Sequence, residues 1–316
     1  MVRAGWSDQQ PNKVPELRNP MWKEIALQKP GRWPQGVRLP IIVSVHHQSE
    51  EAAVVFPDGQ ADPFDYSERQ YGGRRGAWRL LEILDRHSVR GTWIICGATV
   101  EKYPQISRAV QKAGHAIAGH TYEHEMMCNY PPDQELRLIR KTVSVFQDQL
   151  GERLRGWRTC FASHNTVDLL LEHFDFEWDA SIWNDDLPYM IEGFGRRLLE
   201  IPFSSYSDAA WAIQITNPMP PTPYGTWHSN TPEFMLRTLK AQFDALYERG
   251  ADRAVLMPLT VHDFIVGRPS RSSVLDQFIP YAREHEGVVF ATHDQVREWW
   301  LRNYSADEIA APVGGH

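Results

Sequence analysis

The feature that most constrains the fold is the run LPIIVSVHH, Leu39 to His47. It is short, rich in β-branched residues and apolar at both odd and even positions, as a strand covered on both faces of a parallel sheet must be. Within it Ile42, Ser44 and His46 fall on one face. Polar side chains at the C-terminal end of such a strand lie on the rim where β/α barrels and open α/β sheets build their sites. The pattern then recurs along the chain. After a Gly-, Asp- and Pro-containing loop over 57–76, Ala77 to His87 reads as a helix and VRGTWIIC (Val89 to Cys96) as a strand. Tyr103 to Ala113 is a helix stopped by Gly114, and HAIAGH is a short strand that delivers His120 to its end. Leu136, Ile139, Val143, Phe146 and Leu150, closed by Gly151, and Leu236, Leu239, Phe243 and Leu246, ending at Gly250, are apolar stripes of two longer helices. AVLMPLTVH (Ala254 to His262) and GVVFATH (Gly287 to His293) follow as late strands. Such alternation predicts a parallel α/β fold, a barrel or a distorted one, over residues 39–300. An irregular N-terminal extension (1–38) and a C-terminal tail (301–316) flank it.

A chain of 316 residues can bury one large core. Its 33 basic and 40 acidic residues give a net charge of −7, with no basic block, so nucleic acid is not an expected partner. No stretch approaches the ~18 apolar residues of a membrane span, and MVRAGWSDQQPNKVPELRNP lacks the apolar run of a secretory signal. The expectation is a soluble, cytoplasmic protein without membrane contact. Cys96, Cys128 and Cys160 are odd in number and widely spaced, which suits reduced thiols. Twelve tryptophans leave two readings open, aromatic pocket walls and a homo-oligomer interface.

His120 and His124 stand four apart in AGHTYEHEMM, a spacing that would put both imidazoles on one face of a helical turn. Two neutral imidazoles so placed can share one Zn²⁺ at about 2.0–2.1 Å each and leave positions for a third ligand and a water.

Five segments carry a resemblance: WPQGVRLPIIVSVHH, RGTWIICGATVEKYP, GHAIAGHTYEHEMM, the Trp157–Thr166 stretch with NDDLPY, and VHDFIVGRPSRSSVLDQFIPYAREHEGVVFAT. In this order they make the chain similar to the polysaccharide deacetylase, or NodB-homology, superfamily, and within it to the branch of allantoinases and cyclic imide hydrolases. The resemblance implies a deformed (β/α) barrel with one divalent metal, usually zinc, held by an acidic residue at the end of the first strand and by the two histidines of the HxxxH motif. His120 and His124 are then expected ligands. Where the family has its acidic pair this chain has Ser44, Val45, His46 and His47. His46 at the ligand position would complete a set of three neutral ligands, which favours a low pKa for bound water. His47 would be left for proton transfer, and His47, Glu50, Glu51 and Asp186 are the candidates for the missing base. Arg158 is the nearest substitute for a family arginine near Phe161, and with Trp183 and Tyr189 it is expected to contact substrate. His262 falls where the family protonates the leaving group. The implied function is metal-dependent hydrolysis of a C–N amide bond in a small cyclic imide, hydantoin or ureide. Two alternatives stand beside it: an N-deacetylase of an amino sugar or polysaccharide, with an open groove lined by aromatic residues, and a metal-free barrel without catalysis.

Overall fold

The computed structural model describes residues 33–53, 60–159, 161–204 and 231–304, together with the backbone of two short strands at 23–26 and 311–312. The strands are β1 (Lys23–Ala26), β2 (Leu39–His47), β3 (Thr92–Ile95), β4 (Ala116–Gly119), β5 (Gly156–Trp157), β6 (Trp178–Asp179), β7 (Tyr189–Gly193), β8 (Arg196–Glu200), β9 (Met257–His262), β10 (Val288–Ala291) and β11 (Ala311–Pro312). The helices are α1 (Pro63–Tyr71), α2 (Ala77–Arg86), α3 (Gly97–Lys102), α4 (Pro104–Lys112), α5 (Pro132–Leu150), α6 (Thr166–His173), α7 (Pro232–Arg249), α8 (Pro269–Arg283) and α9 (His293–Asn303).

The strands form one sheet in the order β10, β2, β3, β4, β5, β6, β8, β7, β1, β11, with β9 on β2. β2 is its centre. Ile41–His46 pair in parallel with β9 on one edge, while the other edge takes β10 along Leu39–Ile42 and β3 along Ser44–His47. Pairing stays parallel through β6 to β8, and β8, β7, β1 and β11 are antiparallel. The inner face carries Ile42, Ile94, Ala118, Trp178, Ala180 and Ile201, with Trp33 and Trp300 packed in the same cluster. The outer face, with Leu39, Ile41, Val43, Val45, Trp93 and Trp157, packs against the helices. This is the deformed β/α barrel expected from the sequence.

Local chemistry explains several element ends. Asp62 caps α1 by accepting from the Phe64 and Asp65 amides, and Pro63 takes the first helical position. Gly151 ends α5 in the left-handed conformation, φ +67°. Three segments differ from expectation. Residues 63–76 are not a loop: α1 continues through one π-turn, Gly72–Gly76, into α2. The glycines that read as loop formers serve close approach instead, because a Cβ on Gly72 would lie 2.5 Å from the Asp263 carboxylate and one on Gly76 2.0 Å from the Asp263 carbonyl oxygen. The extension and the tail are not wholly irregular, since β1 pairs with β7 and β11 with β1, while 301–303 complete α9. β7 and β8 form a hairpin whose central residues, Phe194 (φ +53°) and Gly195 (φ +70°), both have positive φ. Phe-Gly lacks the asparagine that usually advertises such a turn. No helix among the described residues is long and apolar enough to cross a membrane.

The packing at Gly76 sets a stability test. Gly76→Ala is expected to cost about 1–3 kcal/mol through overpacking against the 263–267 turn, lowering Tm by several degrees in a thermal circular-dichroism melt.

Candidate active site at the barrel rim

Four histidines and one arginine meet at the C-terminal ends of neighbouring strands. His46, on the inner face of β2, is in register with His262 at the end of β9, and their rings lie 4.7 Å apart. His120 follows β4, its amide bonded to the Ile95 carbonyl at 3.0 Å. Its ring is 5.6 Å from that of His46 and 5.1 Å from that of His124. Arg158 follows β5, its amide bonded to the Gly119 carbonyl at 3.0 Å. Its guanidinium lies over Phe203 at 4.0 Å and 5.9 Å from the centroid of Trp183. Phe203 also packs on His46 at 5.4 Å.

The hydrogen bonds fix which nitrogens carry protons. His120 Nδ1 faces the Arg158 carbonyl oxygen, which only accepts, so Nδ1 donates and Nε2 holds the lone pair of the neutral ring. That lone pair receives the Gln48 amide, Nε2 to Nε2, at 3.1 Å. The same amide nitrogen donates its second hydrogen to His46 Nδ1 at 3.2 Å. The His46 hydrogen is therefore on Nε2, which is buried and has no hydrogen-bond partner among the described residues; Arg158 Nε and Nη1 are in the same condition. Gln48 is itself held by Thr99, whose hydroxyl donates to its carbonyl at 3.0 Å.

Burial is the main reason these rings stay neutral. It holds His46 well below the ordinary histidine range, with His262, Arg158, His120 and His124 adding to the effect. His120 is lowered by burial, then by His124 and Arg158. His124 is pushed down to about 3 by burial, then by Arg69 and Arg158. Arg69 is paired with Asp65 at 2.7 Å, and no carboxylate appears among the groups that perturb the three histidines. The donor set does not fit a metal. Among the described residues no group of three or more His, Cys, Asp or Glu side chains is placed to hold an ion, and the Gln48 amide occupies a lone pair on His46 and one on His120 that such an ion would need. The three histidines expected to hold zinc, His46, His120 and His124, do lie side by side, but with the Gln48 amide between the first two.

A family model described as polysaccharide deacetylase matches residues 49–172, which include both histidines of the HxxxH spacing. Residues 49–172 are thus similar to a polysaccharide deacetylase domain. The match begins just after Ser44, His46, His47 and Gln48, where the first strand departs from the family. A Schizosaccharomyces pombe protein assigned provisionally by its name to the polysaccharide deacetylases is 28% identical over 73% of this chain and 74% of its own length. The peptidoglycan deacetylase of Helicobacter pylori is 25% identical over 77% of this chain and 90% of its own. Among solved structures, the PuuE allantoinase superposes with a TM-score of 0.78 at 25% identity, covering 88% of this chain and 95% of its own.

Not every residue expected in the site reaches it. His47 lies on the outer face, between Trp93 and Tyr103, and its Nδ1 is 2.7 Å from the buried Asp263 carboxylate. It is separated from His46 by the strand itself, because successive side chains alternate in direction. Glu50 also turns to the helix layer, where burial would raise its carboxyl but Lys102 and Tyr103 draw it below the usual range. Glu51 is pushed up to about 7 by burial, against the pull of Lys102 and with that of Glu50, Glu123 and Glu125. Asp186 is exposed, and the turn there is made by Asp185, which accepts from the Leu187 amide at 3.1 Å. Tyr189 is buried in the outer cluster with its hydroxyl on Asn184 at 2.7 Å, so it does not face the site. The HxxxH turn is not helical: residues 120–126 are irregular, and His124 returns toward His120 through a left-handed backbone, φ +58°. Gln48, Phe203 and Arg69 were not expected in the site. Only Gln48 carries a sequence signal, its two-residue separation from His46.

A buried carboxyl pair braces the rim. Asp179 and Glu200 are in register across β6 and β8. Asp179 accepts from the Ser181 hydroxyl at 2.8 Å, and Glu200 accepts from the Ile182 amide at 2.9 Å, immediately before Trp183. Burial pushes Asp179 up to about 6, partly offset by Ser181 and Glu200. A carboxyl raised on folding contributes stability that is complete below its unfolded value of about 4 and lost as pH rises through about 6. The Tm is therefore expected to fall between about pH 4 and pH 7, and Asp179→Asn should flatten that fall in melts recorded across the same range.

Proposed function

We propose that this chain hydrolyses the C–N bond of an N-acetyl group on an amino sugar, in a polysaccharide or peptidoglycan strand, giving acetate and the free amine. The observation that carries the reading is the set of buried N–H donors without partners among the described residues, Arg158 Nε and Nη1 and His46 Nε2, beside His262. Unsatisfied buried donors of this kind suit a ligand oxygen. The acetamide oxygen accepts from them, and they stabilise the negative charge that develops on it as water attacks the carbonyl carbon. His262 accepts the proton of that water and returns it to the departing nitrogen as the C–N bond breaks. No step is assigned to a metal, since the residues present do not fit one.

The substrate class follows from the rim. Trp183 is 54% exposed, packs on Phe203 at 5.3 Å and lies above Arg158. Phe161, three residues beyond Arg158, is 53% exposed. Open aromatic faces suit the flat, apolar side of a sugar ring. The names of the curated relatives, deacetylases of polysaccharide or peptidoglycan, agree with this. A second reading rests on the likeness to an allantoinase: the same groups would open a small cyclic amide.

Acetate release from N-acetylated chito-oligosaccharides and peptidoglycan fragments tests the proposal. Arg158→Ala is expected to lower kcat about 100- to 1,000-fold, whereas Trp183→Ala is expected to raise KM about three- to tenfold with little change in kcat. Ring opening of hydantoins or ureides with no acetate from any glycan would overturn it in favour of the second reading.

A further inference from the structure

The group between His46 and His120 is the side-chain amide of Gln48, and its contacts are those a cation would make. One nitrogen reaches His120 Nε2 at 3.1 Å and His46 Nδ1 at 3.2 Å, presenting a hydrogen to each lone pair. The two rings lie nearly perpendicular, 82° apart, so their lone pairs converge on that nitrogen rather than on each other. The amide is not a loose surface group. Gln48 is 2% exposed, and Thr99 ties down its backbone. Nearby stands Arg158, a buried guanidinium with two nitrogens that, among the described residues, have neither a hydrogen-bond partner nor a carboxylate. The other arginine that acts on the cluster, Arg69, is matched by Asp65. A dication held by neutral imidazoles beside this unpaired charge would be repelled, while a neutral amide would not.

We infer that in this chain the Gln48 amide takes the place of a divalent metal between His46 and His120, and that the site operates without one. The inference concerns the site of the proposed hydrolysis, but its main test involves no substrate and so fails or succeeds apart from that reading.

The test is zinc binding by the full-length protein, measured by calorimetry and by elemental analysis after dialysis, for wild type, Gln48→Ala and Gln48→Ala combined with His120→Ala. Wild type should retain no stoichiometric zinc. Gln48→Ala, freed of two competing hydrogen bonds, should bind zinc about ten- to hundredfold more tightly, and the added His120→Ala should abolish the gain. Stoichiometric zinc in wild type overturns the inference, as does a Gln48→Ala protein that binds no better. Circular dichroism reports whether the variants fold. If Gln48→Ala does not, Gln48→Glu keeps the volume and supplies a carboxylate to the same two imidazoles, and it must show the same gain. Where acetate release is measurable, wild-type activity should also survive a zinc chelator unchanged.

Discussion

Strand β2 cannot rotate or slip, and the rest of the site depends on that. It is paired on both edges along most of its length, so each residue's direction is set by its parity, and a slip of one residue would exchange its inner and outer faces. Parity sends Ile42, Ser44 and His46 into the barrel and Val43, Val45 and His47 against the helices. The end of the strand is then pinned from outside. Asp263 accepts from His47 and from the Ser49 amide at 3.2 Å, and its own amide donates to the His46 carbonyl at 3.0 Å. Gly72 and Gly76 let the first helical layer lie directly on this turn. A histidine with no part in the inner cluster thus fixes the orientation of one that belongs to it.

The electrostatics of the inner cluster follow from what is missing. Ser44 and His46 stand where the family has its acidic pair, and Glu50, a few residues on, turns outward to Lys102 and Tyr103. With Arg158 buried beside them, protonating His46, His120 or His124 would place like charges together at low dielectric. Two unit charges 4 Å apart repel by about 4 kcal/mol at an effective dielectric of about 20. Burial first, and these charges second, keep His46, His120 and His124 neutral, and the Gln48 amide joins His46 to His120. What remains unsatisfied is a set of N–H donors, an arrangement suited to a ligand oxygen that gains negative charge.

Much of this was legible in the residues. The two-faced apolar run of β2, the helical stripes of α5 and α7, and the delivery of His120 by a short strand all depend on near neighbours and fold as read. The HxxxH spacing misled, because four residues separate partners on a helix but equally span a tight irregular turn when His124 accepts a left-handed backbone. The glycines of 72–76 misled in the same way: glycine marks both loops and close contacts, and only the position of Asp263 distinguishes them. Arg158 looked like an approximate substitute for a family arginine, yet the short strand β5 turns it inward.

The sequence by itself determined the fold class, the central strand and the placing of His46 and His120 at the rim, because those properties arise from side-chain periodicity over a few residues. Only the tertiary structure decided what the histidines meet. The contact of Gln48 with His120 spans 72 residues and that of His47 with Asp263 spans 216, distances in sequence that sheet register and packing bring together. No local pattern encodes that register, so the groups that surround His46 and His120 follow only from the folded chain.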